Sequence, residues 1–352
     1  MRKLLILALA AVLVVTLLAG CKQTVAPTDT SGAQTATSPS HATETQNSPE
    51  STKPSTNPSP EQSTSQPFET PPETAPAPTV DRAGNQIAPP AKIDKIISLA
   101  PAVTQTLVHM GLADKLVAID INSVGLEGVP DNLPTVDMLS PDGELLLTLG
   151  ADLALCSAMM GYDGSEPLKP LVNAGTCVAA IPSSNSIESI KLDLIFIADI
   201  VGQHAKGVQI VSELEAGIQK VKDAVGSAAP KTVYFEIAAA PAAYSFGSGT
   251  FMNEMIEIAG GKNIFADIDS WLAVSEEQVI IRNPDVIFTN ITYIDAPVDE
   301  ILSRTSLQNV TAVMERQVFY IDSNSSSQSN EFILTAISQM AAALHPDLWK
   351  NG

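Results

Sequence analysis

From Lys95 onward, short runs of apolar, β-branched residues alternate with longer stretches in which apolar residues recur every three or four positions. That alternation predicts strands and helices in turn, the pattern of a mostly parallel sheet covered by helices. Ile96-Ile97-Ser98-Leu99 reads as a fully apolar strand. Pro101 opens a helix that stops at Gly111, a helix-terminating glycine. Leu116-Val117-Ala118-Ile119 is the next strand. Ser140-Pro141 is expected to start another helix, with Ser140 as its cap, running to Gly150. A strand from Leu153 to Cys156, a helix from Pro167 to Asn173 and a strand from Cys177 to Ile181 complete this first half.

A long helical stretch, 186–226, follows, broken near Gly202. Its second part carries Val208, Val211, Leu214, Ile218, Val221 and Val225 on one apolar stripe. A second α/β unit then begins with the strand Lys231–Ile237. It continues through helix Thr250–Ala259, helix Glu276–Arg282, strands Asp285–Thr289 and Val318–Ile321, a Ser/Asn loop and a last helix from Phe332 to Leu344. The expected fold class is α/β, with two lobes of mostly parallel sheet joined by one long bridging helix. Ahead of the first strand, Thr79 to Ile87 reads as a small hairpin turning at Gly84-Asn85.

The N-terminal region follows a different pattern. Arg2 and Lys3 precede an unbroken apolar run from Leu4 to Leu18, then Ala19, Gly20 and Cys21. This is the order of a secretory signal peptide. The apolar run is shorter than the ~20 residues that span a bilayer. Leu18-Ala19-Gly20-Cys21 resembles the lipobox of bacterial lipoproteins, which implies cleavage before Cys21 and acylation of its thiol. Residues 22–78 are rich in Ser, Thr and Pro and nearly devoid of large apolar side chains, so no core offsets chain entropy there. They are expected to form a disordered tether with a typical span of about 40–45 Å.

Composition narrows the function classes. The chain has 352 residues and a formal charge of −20; removing residues 1–20 takes away Arg2 and Lys3 but no acid, giving −22. A surface this acidic repels phosphate backbones and excludes nucleic acid as a natural partner. Besides Cys21 there are Cys156 and Cys177, which fall at opposite ends of two strands expected to run parallel. A disulfide needs Cα atoms within about 7 Å, so both thiols are expected to be free. The four histidines, His41, His109, His204 and His345, fall in the tether or in and beside helices rather than in strand-end loops, which argues against a bare-metal site. There is no Gly-x-Ser-x-Gly, His-Glu-x-x-His or phosphate-cradling glycine loop, so no enzyme class is indicated.

The order of segments over residues 79–348 resembles the substrate-binding proteins of ABC importers for iron-siderophores, haem and cobalamin. Ile97-Ser98-Leu99-Ala100-Pro101-Ala102-Val103-Thr104-Gln105 resembles the family's opening strand-to-helix turn, with Gln105 where Glu is common. Asp142-Gly143-Glu144-Leu145 through Leu153 resembles a first-lobe motif, with Gly150-Ala151 in place of Lys-Pro. Ile258 to Phe265, Trp271, Val274 to Val279 and Asn283 to Ile287 resemble the second-lobe signature. The resemblance implies a binding protein, not an enzyme, working as a monomer with ABC permease subunits and a small-molecule ligand. It implies that Glu144 and Glu277 dock on the permease, while their place in the first turn of a helix alone would explain them as dipole partners. It implies that Trp271 stacks on the ligand; Tyr162, Tyr244 and Tyr293, in expected strand-end loops, are further candidates. The cobalamin-binding members would have a Trp in the first lobe, which is absent here.

The expected organisation is a signal peptide (1–20), a lipidated Cys21 with its tether (21–78), an N-terminal lobe (79–203), a bridging helix (204–228) and a C-terminal lobe (229–352). The protein would sit at the outer face of the cytoplasmic membrane. No resident cofactor is expected; the ligand would be a metal complex. The expected cleft loops contain no Arg or Lys, which favours a ligand of low net charge, a corrinoid or a hydroxamate siderophore, over anionic haem or catecholates. A bare-metal or haem-binding lipoprotein and an exported lipoprotein enzyme are the alternatives.

Overall fold

The strands that read as wholly apolar are so because both faces of each sheet are covered. The structure, a computed structural model, describes residues 75–138, 140–157 and 167–348. Cys21, residues 22–74 of the tether and Tyr162 lie outside the described residues. In the first half the order is β1 (Ile96–Leu99), α1 (Pro101–His109), β2 (Leu116–Asp120), β3 (Thr135–Val136), α2 (Gly143–Thr148), β4 (Leu153–Ser157), α3 (Lys169–Asn173) and β5 (Cys177–Ile181). The chain then passes through α4 (Ile187–Ile200) and α5 (His204–Val225). The second half comprises β6 (Lys231–Glu236), β7 (Tyr244–Phe246), α6 (Phe251–Ile258), β8 (Gly261–Asn263), β9 (Trp271–Ala273), α7 (Glu276–Arg282), β10 (Val286–Thr289), α8 (Pro297–Ser303), α9 (Thr311–Met314), β11 (Val318–Tyr320), α10 (Ser323–Ser327) and α11 (Ile333–Leu344).

Two parallel sheets result. The first has the order β3-β2-β1-β4-β5 and the second β11-β10-β6-β8, while β7 and β9 form a separate antiparallel ribbon. Alternate residues face opposite ways, as strand geometry requires. Leu153, Leu155, Cys177, Ala179 and Ile181 enter one apolar cluster, whereas Ala154, Cys156, Val178 and Ala180 enter another on the far face. In the second sheet Val233, Phe235, Val286 and Phe288 join the same large cluster as the first group, and Tyr234 and Ile287 face a third. The large cluster is therefore common to both sheets. It is filled from between them by α4, by the stripe Ile210, Leu214, Ile218, Val221 and Val225 of α5, and by Ile333, Ile337, Met340 and Leu344 of α11.

Helix ends follow the local chemistry. Gly111 has φ +79°, as a left-handed stop after α1 demands, and Gly202, between α4 and α5, has φ +72°. The first-lobe helix does not start at Ser140 as expected. Its cap is Asp142, whose carboxylate accepts from the Glu144 and Leu145 amides, so α2 begins two residues beyond Pro141. The expected Ser/Asn loop contains the short helix α10, capped by Asp322 through the Ser325 amide. Cys177 pairs in register with Leu153, and Cys156 with Ala180, so the two thiols sit three positions apart along neighbouring parallel strands. Both are free and buried, and burial pushes the Cys156 thiol up to about 12.

Candidate binding cleft

In open parallel sheets all strands point their carboxyl ends the same way, and ligands bind beyond those ends. Here the segments leaving β1 and β5 (Ala100 to Val103 and Pro182 to Ser184) and Ser157 at the end of β4 line a cavity of about 180 Å³. Its other walls include Thr106, Met138, Phe251 at the start of α6, Ser327 to Ser329, and Asp193, Leu194 and Ile197 of α4. A second cavity of about 380 Å³ is lined by Ile237, Met252, Trp271, Asn290 to Tyr293, Ser323 and Ser327. Ser327 belongs to both, and Phe251 and Met252 are consecutive, so the two cavities adjoin. One draws mainly on the first sheet and the other on the second.

The lining mixes apolar side chains with hydroxyls and amides and is weakly charged. Among the described residues Asp193 is the one lining carboxylate, and no Arg or Lys lines either cavity. Asp193 accepts from Arg82 Nε at 2.5 Å and from the Ser184 hydroxyl. Burial pushes its carboxyl above the usual range, with Arg82 and Ser184 pulling the other way. On the second side, Asn290 Nδ2 donates to Ser326 Oγ at 2.9 Å and Ser327 Oγ at 3.0 Å, tying the end of β10 to α10.

The aromatic candidates separate. Trp271 is not in a loop but opens β9, paired with Phe246. Its ring meets the Phe246 ring edge-on at 6.0 Å, and 46% of the residue remains exposed. The neighbour below thus holds one edge of the indole while the rest is open to the cavity. Tyr293 lines the same cavity, its hydroxyl accepting from the Ala239 amide at 2.8 Å. Tyr244 lies in β7 opposite Ala273 and is not among the side chains lining the two cavities. The strand-end segment Pro182–Ser184 and the α4 face carrying Asp193 were not expected in the lining.

A polar clasp closes one margin of the cleft. Asn330 Nδ2 donates to Gln105 Oε1 at 2.8 Å and to the Ala102 carbonyl at 3.3 Å. Buried Glu331 accepts from Thr106 Oγ1 at 2.8 Å and from His109 Nδ1, also at 2.8 Å. The segment before α11 is thereby fastened to α1 of the first half, and the His109 ring leans on Phe332 at 5.7 Å. The hydrogen bond to Glu331 raises the His109 pKa, against the opposing effect of its partial burial. His204 pairs with Asp199, and His345 lies 3.2 Å from the Gly260 carbonyl. Among the described residues no three His, Cys, Asp or Glu side chains are grouped to hold a metal ion.

Glu144 and Glu277 occupy equivalent local positions, each the second residue of its helix, behind the caps Asp142 and Ser275. Both are exposed. Ser275 and Gln278 complete a reciprocal capping box, and the Glu277 carboxyl is held below its usual range by its own backbone N–H and the Ser275 hydroxyl. Beside Glu144 lie exposed Leu145 and Leu147, and beside Glu277 lie Ile280 and Ile281, the last 82% exposed. Each carboxylate therefore stands at the edge of an uncovered apolar patch.

A family model described as "Periplasmic binding protein" matches residues 96–325. The uncharacterised ABC transporter substrate-binding lipoprotein YvrC of Bacillus subtilis is 25% identical over 277 residues, 78% of this chain and 87% of the relative. A cobalamin-binding protein of Halobacterium salinarum is 25% identical over 288 residues, 77% of this chain and 74% of the relative. A solved structure, a possible iron-binding (periplasmic solute-binding) protein of Staphylococcus epidermidis, superposes with a TM-score of 0.64 at 23% identity, over 72% of this chain and 99% of that one, a likeness of fold.

The clasp carries a pH signature. Because His109 has a raised pKa in the folded chain, its bond to Glu331 stabilises fully below the unfolded value of about 6.5 and is lost as pH rises through the folded value. The stability gap between the wild type and His109→Gln, read by urea unfolding, is expected to be larger at about pH 5.5 than at about pH 9. An equal gap at both would show that protonation of His109 does not strengthen the clasp.

Proposed function

The chain belongs to the periplasmic binding protein family, and on that premise we propose that it is the lipid-anchored substrate-binding component of an ABC importer, taking a bulky metal chelate of low net charge between its two α/β halves. The observation that carries the ligand class is the lining itself: apolar side chains, hydroxyls, amides and two aromatic faces, Trp271 and Tyr293, with no Arg or Lys among the described residues and one carboxylate already paired. Haem and catecholate complexes bring negative charge that such a wall does not neutralise. A corrinoid brings little net charge, a broad ring for the aromatic faces and peripheral amides for the hydroxyls. The cobalamin-binding relative supports the same choice. A ferric hydroxamate is the next chelate of suitable charge.

Delivery follows from the exposed carboxylates. Glu144 and Glu277 present one acid from each half, each at a capped helix start beside an apolar patch. A permease offering Arg side chains would take them as directional, charge-assisted pairs. Cys21 would carry the lipid, as the lipobox-like sequence and the lipoprotein relative suggest. The protein would then stay at the outer face of the membrane holding its permease, at high local concentration. A single chain builds both walls of the cleft, in keeping with a monomer. Binding and release of the ligand unchanged, rather than catalysis, is the activity.

Quenching of tryptophan fluorescence by cyanocobalamin, a ferric hydroxamate, a ferric catecholate and haem is expected to rank the first two above the anionic pair. Trp271→Ala is expected to weaken the bound member about tenfold or more. Preference for haem or the catecholate would contradict the charge reading. Independently, Glu144→Arg combined with Glu277→Arg is expected to abolish uptake in cells while leaving ligand affinity in the purified protein intact; normal uptake by that variant would remove both residues from docking.

A further inference from the structure

The hairpin formed by residues 79–87 is more than the start of the fold. Val80 bridges Gln86, and buried Asp81 fills the turn by accepting from the Ala83 and Asn85 amides and the Asn85 side chain. The same carboxylate accepts from the Ala180 amide of β5, at 2.8 Å. β5 is the outer strand of its sheet, so this bond pins the hairpin to the sheet edge next to the segment that leaves β5 for the cleft. The next residue, Arg82, is thereby delivered behind the cleft wall, where its guanidinium meets Asp193 from α4.

Asp193 has an exposed side-chain fraction of only 7%, and lines the first cavity. A lone carboxylate at such a site would be costly to keep charged, and would draw a proton or a cation. Arg82, whose side chain is 28% exposed, pairs with it from outside the lining, so the guanidinium itself does not enter the cavity wall. The cleft thus gains a strong acceptor without gaining a net charge. Ser184, which also lines the cavity, donates to the second carboxylate oxygen and fixes its plane.

We propose that the Arg82–Asp193 pair is a specificity-determining element of the cleft: Asp193 accepts a hydrogen bond from an amide or hydroxyl donor of the ligand, and Arg82 cancels its charge so that neutral chelates are preferred to charged ones. This rests on the functional reading above and extends it to two residues that lie 111 positions apart. Removing either partner leaves the other's charge beside the ligand, and the two removals act with opposite sign.

The test uses the full chain and two corrinoids that share ring and nucleotide and differ by one unit of charge, neutral cyanocobalamin and cationic aquacobalamin, titrated at about pH 6. Arg82→Gln is expected to shift the affinity ratio towards the cation by about three- to tenfold. Asp193→Asn is expected to shift it away from the cation by a similar factor. Arg82→Lys, which keeps the charge, is expected to restore a ratio close to that of the wild type. Asp193→Asn preserves side-chain shape and the Ser184 contact, so the proposal stays testable if Arg82→Gln folds poorly. Unchanged ratios in both charge-removing variants, or equal losses for both corrinoids, would overturn the proposal and reduce the pair to a structural strap. Failure of the wild type to bind either corrinoid would overturn the ligand class first, and this inference with it; that outcome is seen before any variant is compared.

Discussion

The apolar stripe of α5 is the constraint on which the rest depends. Ile210, Leu214, Ile218, Val221 and Val225 are buried in a cluster that also contains the inner faces of both parallel sheets. Each such side chain is worth about 1.5–3 kcal/mol when fully buried. Separating the two halves widely would expose several of them at once. The two sheets are therefore held against a shared spine, and capture of a ligand must proceed by small adjustments at the cleft margin. The clasp of Asn330 and Glu331 on α1 lies at that margin and works in the same direction.

Parallel topology does the remaining positioning. Because every strand within each main sheet runs the same way, the residues leaving β1, β5 and β10, and Ser157 at the end of β4, all lie at cavity walls. Those residues are mostly small or polar, with Ala100, Pro101, Ala102, Pro182 and Ile291 apolar among them. Larger apolar side chains come from regular elements: Leu194 and Ile197 of α4, Phe251 and Met252 of α6 and Trp271 of β9. The antiparallel ribbon fixes Trp271 in place, since its strand partner Phe246 is fully buried and supplies the edge contact. A ligand face laid on the indole would meet a surface already fixed in place.

Much of this was legible in the chain. The β-branched runs gave the strands because burial on both faces leaves little room for polar residues. Gly111 and Gly202 marked helix ends because only a residue without Cβ adopts their backbone conformation cheaply. The free state of Cys156 and Cys177 followed from parallel register alone. The misreadings have equally local causes. At α2 the first good cap, Ser140, lost to Asp142, whose longer acceptor reaches two amides. The helix α10, Ser-Asn-Ser-Ser-Ser, has no apolar periodicity to announce it, and forms because Asp322 caps it and its serines bond back to the Asp322 carbonyl. Asp193 and Arg82 could not be linked from sequence, because nothing within either segment encodes a contact made across the sheet edge.

A ligand held at once by the strand ends of both sheets would slow exchange at both, which hydrogen exchange with and without saturating chelate measures. Protection is expected together in residues 100–103 and 182–184 of the first half and in 290–293 and 327–329 of the second. Protection confined to one half, or found only at the outer faces of α2 and α7 that carry Glu144 and Glu277, would contradict holding by both sheets.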